Sequence, residues 1–407
     1  MATADRTMNS TFRALANRNY RWLWLGRLAT SGTMQMGNVV QGWLVFQLTN
    51  SAFALGWVGA GWSVSSLVLG LYGGAICDRV DKRNLILWTR LAMMMSTLAI
   101  GLLVAFDAIR IWHLAGAAFL NGAISAFLMP AQQSIISDLV EPDTLMSAIS
   151  MDAVGMGLMG IVGASLAGRL IDTVGAQSVY YMMAGLYVLS LFAALHLPHV
   201  EPNAASGTAI WADLKEGLAY LKSQPTITLI LGLEIVRVLV AMPYVSLMPA
   251  FADQNLGLGA SGLGLMQSAV GVGGLVASLI ASQMGTLRRK GRLMILSSIV
   301  LGAALILYVT FPWLLGIYAA LAAIGGMINL YMVLSSTLIL THTDPAFRGR
   351  VVSLSMFAFG LMPLGTIPAG AIADMVGVPW VVGVQGALVI GVYLLVRARK
   401  PQLIEMG

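Results

Sequence analysis

Twelve runs of mostly apolar residues follow one another along this 407-residue chain, each about the 20 residues that a helix needs to cross a bilayer. They fall near 21–48, 53–77, 84–106, 111–138, 145–170, 177–197, 226–252, 260–286, 292–311, 313–341, 350–374 and 378–397. Some abut with almost no linker, as at Phe311-Pro312-Trp313. The reading is an all-α membrane protein with twelve transmembrane helices. Charge supports it: only 10% of residues are charged against 58% hydrophobic, and soluble domains carry about 25% charged residues. The single Cys77 excludes a disulfide framework and any cysteine-based metal site. The polar, basic stretch before the first run has no small-residue cleavage site, so no signal peptide is expected.

Positive charge sets the orientation. Alternate loops hold Arg79, Lys82 and Arg83; Lys215 and Lys222; Arg288, Arg289, Lys290 and Arg292; Arg348 and Arg350, whereas the opposite loops hold only Arg110 and Arg169. Both termini are basic too, which places both in the cytoplasm of a bacterial inner-membrane protein. The net charge of +6 is then a topology signal with an affinity for anionic lipid, and nucleic-acid binding is not expected. The expected organisation is a cytoplasmic segment 1–20, a six-helix bundle 21–198, a cytoplasmic linker 199–225, a second six-helix bundle 226–397 and a tail 398–407. Within the linker, Trp211, Leu214, Leu218 and Leu221 recur at helical spacing, which predicts an amphipathic helix.

The halves repeat. Shifting SLAGRLIDTVG by 202 residues onto IPAGAIADMVG aligns Gly163 with Gly365, Gly168 with Gly370, Asp172 with Asp374 and Gly175 with Gly377. Two parallel six-helix repeats are a transporter architecture. Between the second and third runs lies GGAICDRVDKRNLI. It resembles the signature loop of major facilitator transporters, with Gly74, Asp78, Arg79 and Arg83 matching, Lys82 conservative, and Asp81 where glycine is usual. The stretches FRALANRNYRWLWLGRLATSGTMQ, FLMPAQQSIISDLVEPDTLMSAIS and RGRVVSLSMFAFGLMPLG are similar to the drug-efflux-like branch, which includes the enterobactin exporter and macrolide efflux proteins. The resemblance implies the major facilitator fold, two six-helix pseudo-repeats around a midplane site, and a cytoplasmic gate in which Asp78 meets the start of span eleven near Arg348 and Arg350. Two features depart from the pattern. The span-five antiporter motif lacks its proline (Gly163, Ala164, Ser165, Leu166, Ala167, Gly168), and span four lacks a basic residue.

Charges inside spans are costly, so each is a functional candidate. Glu234 and Arg237, three residues apart in span seven, share a face. Asp152 lies about two turns into span five, and Arg27 lies near one end of span one. Glu234 is the first candidate for proton exchange, with Asp152 second and Arg237 as partner. Structural alternatives stand beside these: Arg27 snorkelling to the interface, Asp152 at the interface, and Glu234–Arg237 as a self-neutralising pair. Asp107, Asp172 and Asp253, at span ends, are expected to be solvated. Along span one, Arg27, Ser31, Asn38 and Gln41 fall within about 80° of arc. Asn121, Ser125 and Gln132 in span four, Tyr244 in span seven, and Asn329 and Ser336 in span ten complete a candidate cavity lining. The resemblance assigns the central cavity to those four spans, and interhelical hydrogen bonding is the alternative for each amide. The 25 methionines favour an amphiphilic substrate.

Gly155-Met-Gly-Leu-Met-Gly160 is a literal GxGxxG inside an apolar run with no strand before it, which argues against a dinucleotide site. No Walker loop, metal-spaced His or Cys set, or catalytic triad is present in the sequence, so no cofactor, no metal and no enzyme activity are expected. The functional reading is a monomeric secondary active exporter of a small amphiphilic molecule, with membrane lipid and protons as further partners. An importer of the same fold, or a non-transporting membrane sensor or assembly protein, is the alternative.

Overall fold

In the computed structural model, residues 13–77, 80–199, 210–283, 289–345 and 347–399 are described. Among them there is no strand, and a 3-10 turn, Arg13–Ala16, precedes the first long helix. The spans are α1 (Arg18–Thr49), α2 (Ala52–Cys77), α3 (Lys82–Ala105), α4 (Ile111–Leu139), α5 (Pro142–Val174) and α6 (Ala176–Leu195). After the linker helix Ile210–Ser223 come α7 (Pro225–Asn255), α8 (Gly259–Gln283), α9 (Lys290–Thr310), α10 (Leu314–His342), α11 (Arg348–Val376) and α12 (Val378–Arg399).

Local chemistry sets the ends. Pro142 and Pro225 open α5 and α7, where a missing N–H costs nothing. Asp81 caps α3, accepting from the amides of Arg83 at 2.8 Å and Asn84 at 3.2 Å. Helices α5 and α11 end at Gly175 (φ 105°) and Gly377 (φ 88°), a backbone region that favours glycine. These are the two glycines aligned by the 202-residue shift. Eleven of the described helices are long and apolar enough to cross a membrane by length and composition. The remaining long helix, α1, has 32 residues, but its polar stripe dilutes its hydropathy. Helix α7 is interrupted by π-helical segments at Arg237–Ala241 and Phe251–Asn255.

The described residues fall into two compact units. The first draws on Met1–Leu44, Val64–Gly207 and Gly259–Gly264. In it α3 packs along α6, with Gly101 set against Tyr180. The second draws on Val45–Ser63, Thr208–Leu258 and Leu265–Gly407. There α9 packs on α10 and α12, and Gly302 and Gly386 let the α9 and α12 backbones approach; a Cβ on Gly386 would lie 2.5 Å from the Gly302 carbonyl. The linker helix Ile210–Ser223 forms as expected, and Gly217 and Tyr220 lie on the face that meets α11. Gly217 abuts Arg350 and Leu354, and Tyr220 stacks on Phe347 with ring centroids 4.3 Å apart. Leu218, off that face, is exposed.

Candidate functional site

The first unit holds a polar cluster between α1, α4 and α5. Arg27 Nε and Nη2 donate to the two Asp152 carboxylate oxygens at 2.5 Å each, and Nη1 donates to the Gln132 carbonyl at 3.2 Å. Both charged side chains are 14% exposed. Arg27 and Asp152 therefore spend their charge on each other rather than on water, each neutralising the other through a bidentate pair. Trp24 and Tyr20 hydrogen-bond the α5 carbonyls of Met151 and Ala148, fixing α1 against α5 at that level. Sequence reasoning missed Arg90 of α3. It is fully buried, donates through Nη1 to the Ser190 carbonyl at 2.8 Å, and leaves Nε and Nη2 without hydrogen-bond partners. The signal was available: an arginine two turns inside an apolar run is as costly as those singled out.

The rest of the first-unit lining is dispersed. Asn38 is exposed and donates to Gln35 at 3.5 Å, and Ser31 and Ser125 are half-buried. Gln41 and Asn121 share a small recess of about 40 Å³ with Ser96 and Thr97. That space holds about one water.

The second unit holds the Glu234–Arg237 pair. Arg237 is fully buried, and none of its three side-chain nitrogens has a hydrogen-bond partner. Its Nη2 lies 3.9 Å from Glu234 Oε1. The guanidinium sits 4.9 Å from the Tyr331 ring centroid and 5.7 Å from that of Phe359, so aromatic faces supply much of its stabilisation. Glu234 Oε2 accepts from the Ser355 hydroxyl at 2.7 Å. A π segment begins at Arg237, a distortion common at functional positions. Tyr244 turns away from this pair and packs edge-on against Tyr308 of α9, fully buried. Asn329 accepts from Ser278 of α8 at 3.0 Å, and Ser336 is exposed. A recess of about 630 Å³, lined by Leu239, Gly365, Pro368, Trp380 and Gln385 among others, has no charged residue in its wall and includes none of these candidates.

Of the signature loop, Asp78 and Arg79 lie outside the described residues, and Gly74 is in the last turn of α2. Lys82, buried, opens α3. Asp81 does more than replace a glycine: His199 Nδ1 lies 2.6 Å from its carboxylate, and His199 Nε2 lies 2.5 Å from Arg83 Nη1. Arg83 also donates to the Leu195 carbonyl at 2.7 Å. Desolvation pushes the Asp81 carboxyl up, but the His199 hydrogen bond and the amides of Asn84 and Arg83 outweigh it, holding the group below its usual 3.8. In the second unit Arg350 pairs with Glu216 of the linker helix at 2.9 Å, and Arg348 donates to the Thr343 carbonyl at 3.3 Å.

Comparison with known proteins places this arrangement. The model of a major facilitator family described as transmembrane secretion effector matches residues 9–406. The staphyloferrin A transporter of Staphylococcus aureus is 23% identical over 375 residues, covering 91% of this chain and 94% of that protein. The enterobactin exporter EntS of Shigella flexneri is 25% identical over 340 residues, covering 80% of this chain and 78% of its own. Among solved structures, the nucleoside transporter NupG superposes with a TM-score of 0.75 at 12% identity, covering 94% of this chain and 99% of that one; the likeness is one of fold. The chain belongs to the transmembrane secretion effector family of the major facilitator superfamily, and it is a multi-pass membrane transporter rather than an enzyme.

Proposed function

We propose that this transporter exports a small amphiphilic, siderophore-like molecule by alternating access, coupled to proton entry through Glu234. The observation that carries the coupling is the open Glu234–Arg237 pair: a buried carboxylate 3.9 Å from a fully buried guanidinium, inside a spanning helix, with no hydrogen bond closing the gap. Such a pair has two electrostatic states of comparable standing. With Glu234 ionised, the two charges offset each other. With Glu234 protonated, the carboxylate no longer offers an anionic acceptor to the cargo. A cargo donor bound to the ionised Glu234 from the cytoplasm and a proton arriving from the far side then compete for the same carboxylate, so outward cargo is exchanged for an inward proton.

The cargo class rests on two relatives, named as transporters of staphyloferrin A and enterobactin, and on a methionine-rich chain. The two bundles, 21–198 and 226–397, are the rocking bodies in this reading. The distribution of Arg and Lys supports a bacterial cell-membrane location with both termini in the cytoplasm.

The test is flux in proteoliposomes with an imposed pH gradient and either enterobactin or staphyloferrin A inside. The expected result is gradient-driven efflux of at least one of them, with Glu234→Gln uncoupling it from the gradient while leaving insertion intact. Gradient-driven efflux of normal rate from Glu234→Gln removes the coupling assignment. Absence of flux for both probes in the wild type removes the cargo class.

A further inference from the structure

The aligned aspartates at the ends of α5 and α11 are exposed, as expected of span ends, yet both are engaged. Asp374 Oδ1 accepts from the Ala52 amide at 2.6 Å, and its Oδ2 accepts from the Phe53 amide at 3.1 Å and the Ser51 hydroxyl at 2.6 Å. Asp172 Oδ1 accepts from the Ala260 amide at 3.2 Å and its Oδ2 from the Ser261 amide at 2.8 Å. Each carboxylate thus satisfies two of the orphan amides in the first turn of another helix, α2 in one case and α8 in the other. Each also places a negative charge at the positive end of a helix dipole.

One turn back along α11, a Cβ on Gly370 would strike the Ala52 carbonyl; the same holds for Gly168 of α5 and the Ala260 carbonyl. Another turn back, Thr366 faces Gly56, where a Cβ would lie 2.7 Å from the Thr366 carbonyl. Ala164 likewise faces Gly264, at 2.5 Å from its carbonyl. The shift of 202 residues carries Ala164, Gly168 and Asp172 onto Thr366, Gly370 and Asp374, while a shift of 208 carries Ala52 and Gly56 onto Ala260 and Gly264. The same three-level seam has therefore been built twice, once within each compact unit. Each time a helix of the first half of the sequence meets one of the second half.

We infer that Asp172 and Asp374 are gating residues, each latching one seam, α5–α8 and α2–α11, and that the transport cycle breaks and remakes both. A seam of this kind is suited to reversal. Its contacts are backbone against small residues, so parting it strips little apolar surface, and its strongest bonds sit at an exposed tip where water replaces them. The chain direction puts both tips at the end of the spans opposite the Asp81 and Arg350 loops, so the latches and the signature loop act on opposite faces. The substrate lies outside this inference; only the existence of a transport cycle is taken from the family.

The test reads seam opening directly. In a Cys77→Ser background, single cysteines are placed at Thr366→Cys and Ala164→Cys, both buried in the seams, and at Ala304→Cys, buried in α9 away from them. The rate of N-ethylmaleimide labelling is followed by mass spectrometry in lipid nanodiscs. Asp374→Asn is expected to raise labelling at 366 about five- to tenfold, and Asp172→Asn to do the same at 164, on the scale of a lost helix cap, with 304 unchanged. Unchanged labelling at the cognate seam, or an equal rise at 304, overturns the proposal. Should Asp374→Asn fail to fold, Ser51→Ala, which removes one hydroxyl bond, is expected to give about a twofold rise at 366 alone; no rise overturns it equally. No cargo is needed, so failure of the siderophore reading and failure of the latch are separate results.

Discussion

Replacing Asp152 by Asn keeps shape and removes charge, and the cost can be worked from the cluster around it. Arg27 loses a bidentate partner held at 2.5 Å on both arms, and the pair is 14% exposed. Removing one member of a buried ion pair costs about 3–5 kcal/mol because the survivor is left uncompensated. The residual exposure argues for the lower end, about 3 kcal/mol. Arg90 pushes the figure back up: it is fully buried, and it and Arg27 repel each other. Asp152→Asn therefore leaves two mutually repelling cations, Arg27 and Arg90, in the first unit's core with Arg27 stripped of its carboxylate. Arg27→Gln leaves one carboxylate unpaired but also removes that repulsion. The order of cost is Asp152→Asn above Arg27→Gln, with the double variant cheaper than the sum by about 2 kcal/mol or more. Equilibrium unfolding in mixed micelles, analysed as a double-mutant cycle, measures that coupling. Singles that add to within about 0.5 kcal/mol, the behaviour of independent sites, would refute the pairing. The reverse order of cost would refute the role given to Arg90.

Two further outcomes follow from the same geometry. Gly325→Ala in α10 drives a methyl into the Val270 carbonyl of α8, and backbone cannot yield as a side chain does, so a loss of about 1–3 kcal/mol is expected by the same unfolding assay. Asp81 has a depressed folded-state pKa relative to 3.8, so its cap contributes stability that is fully present above pH 3.8 and is lost as pH falls below it through the folded value. Hydrogen exchange at the Arg83 and Asn84 amides, corrected for intrinsic rate, is expected to accelerate on acidification in the wild type and to lose that dependence in Asp81→Asn.

The spans, the repeat and the glycine helix ends were legible because each rests on a local rule: run length, period and backbone sterics. Partners were legible only where they lay on one helix. Glu234 and Arg237 are three residues apart, and spacing alone put them on one face. Arg27 and Asp152 are 125 residues apart, and which arginine meets which carboxylate depends on helix rotation, which run length does not encode. Tyr244 illustrates the same limit: it shares a helix with Glu234, but the π-helical segment Arg237–Ala241 lies between them, and Tyr244 packs on Tyr308. The role of Asp172 and Asp374 was half legible. Their alignment was visible in the sequence, but the amides they cap belong to the distant starts of α2 and α8.

Duplication has preserved packing and discarded charge symmetry. Under the offsets of 202 and 208 residues, Arg27 falls on Leu229 or Ile235, Glu234 on Gly32 or Gly26, and Arg237 on Gln35 or Ala29. None of these is charged. The seams, by contrast, repeat level by level: Gly168 and Asp172 fall on Gly370 and Asp374, and Ala52 and Gly56 on Ala260 and Gly264, with Ala164 against Thr366 the one change among the three levels on α5 and α11. The contrast has a physical origin. A seam of glycine, small residues and a capping carboxylate works by shape and by backbone amides that every helix start provides, so both copies serve the same mechanical end. An intramembrane charge is costly without a partner, and the first unit pairs two across α1 and α5 while the second pairs two within α7. The first pair is closed by two short hydrogen bonds and is built to stay closed. The second stands 3.9 Å apart over aromatic faces, with a serine hydroxyl already occupying one carboxylate oxygen. The open geometry of the second pair is what supports the coupling role proposed above for Glu234, and the bidentate closure of the first supports an architectural role for Asp152.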